Sequence, residues 1–305
     1  MIGTRAVWSF WTKPYNARQH EAWPSEKHHL LSWVLSTMTA RKHYTTTALC
    51  TDDAGARLLV DGIGLEFDHI STALNLLDAQ DPDWWALGKL HAYRMQAEPF
   101  VHIDSDVFLW QPLSPDPASV SVLAQNPEYL LMGHFHYQPE AFEAAITAGS
   151  GWLPREWRWY RANCAAPRGE CCGVFGGSQV DFIRHYADQA IRMMGEPKNR
   201  AVWRGVRGKG GHNLLFEQYL LAACIEYHRH HARSRYRKVA ISYVFPSVEE
   251  AFNPAIAERV GYTHLLFDAK RNPRLADRLE TRVARDYPTY YHRCIEYLRM
   301  RKKPA

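Results

Sequence analysis

Short apolar runs alternate along the first third of the chain with stretches whose apolar residues recur every three or four positions. Ala6 to Trp11 (AVWSFW) predicts a first strand. After Pro24-Ser25-Glu26, the spacing of Leu30, Leu31, Val34, Leu35 and Met38 predicts a helix to about Thr39. Thr46 to Thr51 predicts a second strand, ending at Asp52-Asp53-Ala54-Gly55. A short helix through Leu58, Leu59 and Val60 then leads to a strand-like piece around Leu65 to Ile70. The string DPDWWALGKLHAYRM predicts another helix, with Asp81 or Asp83 as its cap, delivering the chain to a strand at Phe100, Val101 and Ile103. Such alternation predicts βαβ units: an α/β fold with a mostly parallel central sheet flanked by helices, formed as one domain over residues 1–305.

The later chain is less regular. Residues from about 133 to 169 read as an insertion or lid, aromatic and Arg-rich at Trp152 to Arg161. In Cys171 to Gly177 (CCGVFGG), Val174-Phe175 lies between glycines, which implies backbone passing close to something. A helix from about Gln179 to Met194 follows, then a loop feeding a second helix with Asn213 as cap. Lys238 to Phe245 predicts a strand, and two C-terminal helices occupy about 273 to 301.

Composition narrows the class without deciding it. A hydrophobic share of 46% and a charged share of 23% are ordinary for a globular protein. No run approaches the roughly 18 apolar residues a membrane span needs. Six cysteines without CxxC spacing, and no secretory signal at the start, point to a cytoplasmic protein with thiols. The net charge of +5 suits an anionic small molecule or an acidic partner. No nucleic-acid recognition signature accompanies it, and the basic runs His228 to Lys238 and Arg299 to Ala305 read as solvated faces.

The chemistry concentrates in FVHIDSDVFLWQPL, Phe100 to Leu113, where Asp104 and Asp106 flank Ser105 between two apolar runs. In extended backbone, side chains at i and i+2 share a face, so the two carboxylates would stand together at a strand end. They repel unless a cation lies between them or one stays protonated. Hard cations such as Mg2+ or Mn2+ take carboxylate oxygens and let phosphates complete the shell. Asp-x-Asp also occurs in solvated loops, but the apolar flanks here argue for a metal–diphosphate site.

With these residues in view, the chain resembles GT-A fold glycosyltransferases that use nucleotide-sugar donors, in the layout of the glycogenin-like retaining branch. Four pieces carry the resemblance: Asp104-Ser105-Asp106; His264 with Lys270 six residues on; Lys89 in the helix before the aspartates; and the glycine-flanked stretch containing Gly173. Phe267 stands where that family's late element has glycine, and Arg271 where proline is usual. The resemblance implies a hexosyltransferase with Mn2+ (or Mg2+) held by Asp104, Asp106 and His264. Its donor would be a UDP-sugar contacted by Ser9, Trp11, Asp52, Lys89, Asp104, Ser105, Gly173, Lys270 and Arg271. Glu217 and Gln218 would then start a helix on the acceptor side, with Glu217 as a base or as a stabiliser of an oxocarbenium-like centre.

Other readings stand beside these. Trp11 can be a core residue, Glu217 a helix-face carboxylate in water, and His264 a core histidine. His134, His136 and the His228/His230/His231 group read as surface or structural. A nucleotidyltransferase or phosphoesterase could use the same aspartates, and 11 tryptophans suit a glycan-binding protein without catalysis. Sugar, acceptor (glycan, lipid or peptide), stereochemistry and oligomeric state stay open, with Trp152 to Arg161 as the candidate acceptor contact.

Overall fold

A computed structural model describes residues 4–18, 22–129, 138–206 and 209–301. His134 and His136 lie outside the described residues, as does the start of the expected insertion. The early strands are β1 (Arg5–Phe10), β2 (Thr46–Thr51), β3 (His69–Ser71), β4 (Phe100–Ile103) and β5 (Val107–Leu109). Then come β6 (Val122–Ala124), β7 (Pro127–Glu128), β8 (Gly169–Glu170), β9 (Val174–Gly177), β10 (Ile241–Tyr243) and β11 (Tyr262–His264).

Seven of these form one sheet in the order β10-β6-β9-β4-β1-β2-β3. The pairs among β3, β2, β1 and β4 are parallel, as is β10 with β6, while β9 runs antiparallel between β4 and β6. Alternate residues of the central strands feed two cores on opposite faces. Val7 and Phe100 point into one, and Ala6, Trp8, Val101 and Ile103 into the other. Burial on both faces is why these strands read as nearly continuous apolar runs. Helices cover both faces: Glu26–Ala40, Pro273–Asp286 and Pro288–Arg301 on the Trp8 side, Ala86–Arg94, Val180–Gly195 and Leu220–His230 on the other. No described helix is long and apolar enough to cross a membrane.

The glycines after Phe175 are explained by strand packing. A Cβ on Gly176 would lie 2.0 Å from the Phe100 carbonyl oxygen, and Gly177 has φ +132°. What the backbone passes at Gly176 is therefore strand β4.

Several expectations need correction. The third strand lies later than expected, at His69–Ser71. Neither Asp81 nor Asp83 caps the helix beginning at Ala86: the Ala86 N–H donates to Asn213 Oδ1 at 2.9 Å, and Asp81 takes Lys209 Nζ at 2.5 Å. Asn213 accordingly caps a remote helix and sits inside its own, Lys209–Leu214. Trp152 to Arg161 is not a lid, because Arg155–Asn163 is a helix whose Trp157 and Tyr160 are fully buried against Phe142 and Tyr219.

Candidate active site

Parallel sheets bind ligands beyond the carboxyl ends of their strands, where neighbouring connections diverge to opposite sides. Here that crevice lies between β1, which leads toward β2, and β4. At the end of β4 the chain makes a tight turn, with the Val107 N–H donating to the Asp104 carbonyl at 3.0 Å. Asp104-Ser105-Asp106 is this turn, not extended strand, so i, i+2 alternation is not what gathers the carboxylates. The turn is held from outside: the Asp104 N–H donates to the Gly173 carbonyl at 2.9 Å, and the Ser36 hydroxyl donates to the Asp104 carbonyl at 3.0 Å.

Antiparallel pairing of β5 with β11 sets His264 opposite Val107, and the Leu265 N–H donates to the Asp106 carbonyl at 3.0 Å. A residue from near the far end of the chain thus meets the turn. Asp104, Asp106 and His264 offer donor atoms all within 4.8 Å of one another. Two carboxylates and an imidazole at this spacing could hold a metal ion. The imidazole is oriented from behind, as Gln125 Oε1 accepts from the Tyr262 hydroxyl and from His264 Nδ1, each at 2.7 Å. With Nδ1–H committed there, Nε2 is the ring atom that faces Asp106 Oδ1, at 3.5 Å.

Two ammonium groups balance the acids. Lys89 Nζ lies 3.0 Å from both Asp104 carboxylate oxygens, 2.5 Å from Glu217 Oε1 and 3.3 Å from the Cys172 carbonyl. Burial alone would favour neutral Lys89, but the Asp104 and Glu217 charges outweigh it and hold its pKa above the ordinary value. Lys270 Nζ meets Asp106 Oδ2 at 2.5 Å and is 26% exposed. Burial pushes the Asp104 carboxyl up to about 6 against the pull of Lys89, with Asp106 and Glu217 adding to the rise. For Asp106 burial acts the same way, but Lys270 and His264 outweigh it and keep the carboxyl well below the usual range. The two carboxyls of the turn are thus pushed in opposite directions, Asp104 up and Asp106 down.

A cleft of about 300 Å3 opens beside this turn. Its walls include Ser9 and Trp11 from the end of β1, Lys89, Ser105, Trp33 and Trp85. Phe10, Tyr15, Trp23 and His29 line it as well. His29 is half-buried, accepts from Trp33 Nε1 at 3.1 Å and stacks on Tyr15 at 4.6 Å. Burial and then the Lys270 charge lower its pKa to about 3, so its ring is neutral in ordinary buffers.

The chain matches a family profile along nearly its whole length, over residues 4–297. It belongs to the DUF6734 family. That family is described as one of unknown function. No curated protein matches this DUF6734 member.

The residues singled out from sequence fall into three groups in this DUF6734 chain. Asp104, Asp106, His264, Lys89, Lys270 and Gly173 come together at the turn, while Ser9, Trp11 and Ser105 line the cleft. Trp11 is both readings at once: it is 5% exposed within the core, yet its ring walls the cleft, and its Nε1 has no partner among the described residues. Asp52 is a structural cap instead of a ligand contact. The Thr12 N–H and hydroxyl both donate to its Oδ2 at 2.7 Å, and the Gly55 N–H donates to Oδ1 at 2.7 Å. Arg271 is 62% exposed, with Asp268 at 3.9 Å.

Glu217 is neither a helix start nor a carboxylate in water. It is fully buried in a π-helical turn, Leu215–Tyr219, in the middle of a long helical run, and Gln218 is buried beside it. Its Oε1 takes Lys89 and, at 3.2 Å, the Tyr93 hydroxyl. Its Oε2 has no hydrogen-bond partner among the described residues. Residues that sequence reasoning missed are Gln125, Tyr262, His29 and Trp33. Tyr262 had a signal, since it shares a strand face with His264 two residues on.

Proposed function

We propose that this chain is a metal-dependent glycosyltransferase of GT-A fold that moves a sugar from a nucleotide-sugar donor to an acceptor. What carries the reading is one juxtaposition: two aspartates and an oriented imidazole at the end of β4, beside an aromatic cleft at the end of β1. Mn2+ or Mg2+ bound at the acidic turn would supply Lewis-acid stabilisation of the charge that develops on a departing diphosphate.

The chain's own groups have separate tasks. Asp104, Asp106 and His264 hold the cation, and Gln125 fixes the imidazole tautomer. Lys270, partly exposed, is free to swing from Asp106 toward a diphosphate and oppose its charge. Lys89, locked between Asp104 and Glu217, orients Asp104 instead of reaching for phosphate. Glu217 acts through Lys89 and is a positioning residue. Trp11, Trp33 and Trp85 line the cleft and would supply the aromatic surface for a nucleobase. Uridine as that base, and a hexose as the sugar, follow from the resemblance alone. A cytoplasmic setting goes with six cysteines that are all free thiols.

The test is a panel of nucleotide sugars incubated with the protein and Mn2+, with products identified. Free nucleoside diphosphate supports the reading. Pyrophosphate or a nucleoside monophosphate would mean attack at phosphorus and would replace it with a nucleotidyltransferase or phosphoesterase.

Gly173 gives a sharper check. A Cβ there would meet Gln125 Oε1 and His264 Nδ1, each at 2.4 Å, so alanine must displace the imidazole or its anchor. Gly173→Ala is expected to weaken Mn2+ binding roughly ten- to hundredfold, the usual effect of disturbing groups behind a ligand. Titration calorimetry on the folded variant measures it.

A further inference from the structure

Apart from the acidic turn, three helices bring together a second set of ligating atoms. Glu156 comes from Arg155–Asn163, His185 from Val180–Gly195 and His228 from Leu220–His230. His185 Nε2 lies 3.1 Å from Glu156 Oε1, His228 Nε2 lies 3.6 Å from the same oxygen, and the two Nε2 atoms are 3.2 Å apart. We propose that these residues form a site for a zinc-class divalent cation whose open coordination position faces a pocket for an anionic ligand.

The triangle fits a cation better than it fits hydrogen bonding. Zinc–nitrogen and zinc–oxygen bonds of about 2.0–2.2 Å in a tetrahedron put neighbouring ligand atoms about 3.3–3.6 Å apart. Of the observed edges, 3.1 and 3.2 Å lie just below that range and 3.6 Å at its upper end. As a hydrogen-bonded set the arrangement is frustrated, because a proton on His185 Nε2 serves Glu156 and leaves His228 Nε2 facing two atoms with one proton between them. A cation at the centre uses all three lone pairs at once. Two imidazoles and one carboxylate form a donor set that binds zinc with a fourth position left open. His228 is also oriented from behind, its Nδ1 lying 2.7 Å from the Ser234 hydroxyl.

The open position has a direction. A pocket of about 420 Å3 is walled by His185 and His228. Arg155, Arg233 and Arg235 line the same pocket, so its field favours an anion such as a phosphate or carboxylate group. Arg155 also stands 3.5 Å from Glu156 Oε1, but it is 68% exposed and can turn outward when a cation arrives.

The test uses the full-length chain carrying Asp104→Ala and Asp106→Ala, so that the acidic turn takes no metal. Zinc titration followed by metal analysis is expected to find one Zn2+ per chain. Adding His185→Gln should abolish retention while the zinc-free melting curve stays in place. Adding Ser234→Ala should weaken retention roughly ten- to hundredfold. Failure to retain zinc, or retention indifferent to His185→Gln, would overturn the site. For the open position, inorganic phosphate is added to the Co2+-loaded protein. Paramagnetic broadening of its phosphorus signal, reduced by Arg233→Ala, is expected, and an unbroadened signal would contradict it. None of these readouts depends on glycosyl transfer, so either account can fail without the other.

Discussion

Asp106→Ala is expected to abolish Mn2+-dependent hydrolysis of a nucleotide-sugar donor while leaving the protein folded. Asp106 is the more acidic of the two aspartates and the one that His264 and Lys270 both face. Removing it takes away a cation ligand and the partner that holds Lys270 in place. The loss should be on the order of a thousandfold or more, the upper end for a single electrostatic group. The fold should survive for two reasons: Lys270 reaches solvent readily, and deleting one charge relieves repulsion with Asp104. Donor hydrolysis and a thermal melt on the same preparation measure both halves. Retained hydrolysis with unchanged metal dependence would remove Asp106 from the mechanism.

Lys89→Met is expected to cost stability as well as activity. It strips the cation from between Asp104 and the fully buried Glu217, leaving two carboxylates without their counter-charge. Breaking a buried pair from one side typically costs about 3–5 kcal/mol. Asp104, already raised, would then hold its proton still more tightly in the folded chain, and such a group stabilises as pH falls. The deficit relative to wild type should therefore shrink as pH falls toward about 6, below which Asp104 is protonated in both proteins. Urea unfolding at several pH values reads this out, and adding Glu217→Gln should restore part of the loss. A deficit independent of pH would mean that lost packing, not unpaired charge, is the cause.

Strands β1, β2 and β4 and the Glu26–Ala40 helix were legible to within about a residue, because each is a buried run bounded by polar residues. Elsewhere the deciding partner was remote. The Ala86 helix takes its cap from Asn213, so local capping logic looked to Asp81 and Asp83. In Trp152 to Arg161, helical spacing of Leu153, Trp157 and Tyr160 was present but masked by three arginines, so a core helix read as an exposed insertion.

The acidic turn is legible from its residue types and apolar flanks, not from strand geometry. The aspartates converge through a turn, although their residue types pointed to the same chemistry. His264 could be reached only through the resemblance, and Gln125, which orients it, carries no local signal at all. From sequence Glu217 reads either as an acceptor-side base or stabiliser or as a helix-face carboxylate in water, because its counter-charge on Lys89 comes from another helix.

The most direct measurement is electron–nuclear double resonance on Mn2+ added to the protein with uridine diphosphate. The account predicts phosphorus coupling from the nucleotide together with nitrogen coupling from one imidazole, the nitrogen signal vanishing in His264→Ala. Bound manganese that senses no phosphorus, or an imidazole signal that survives His264→Ala, would contradict it.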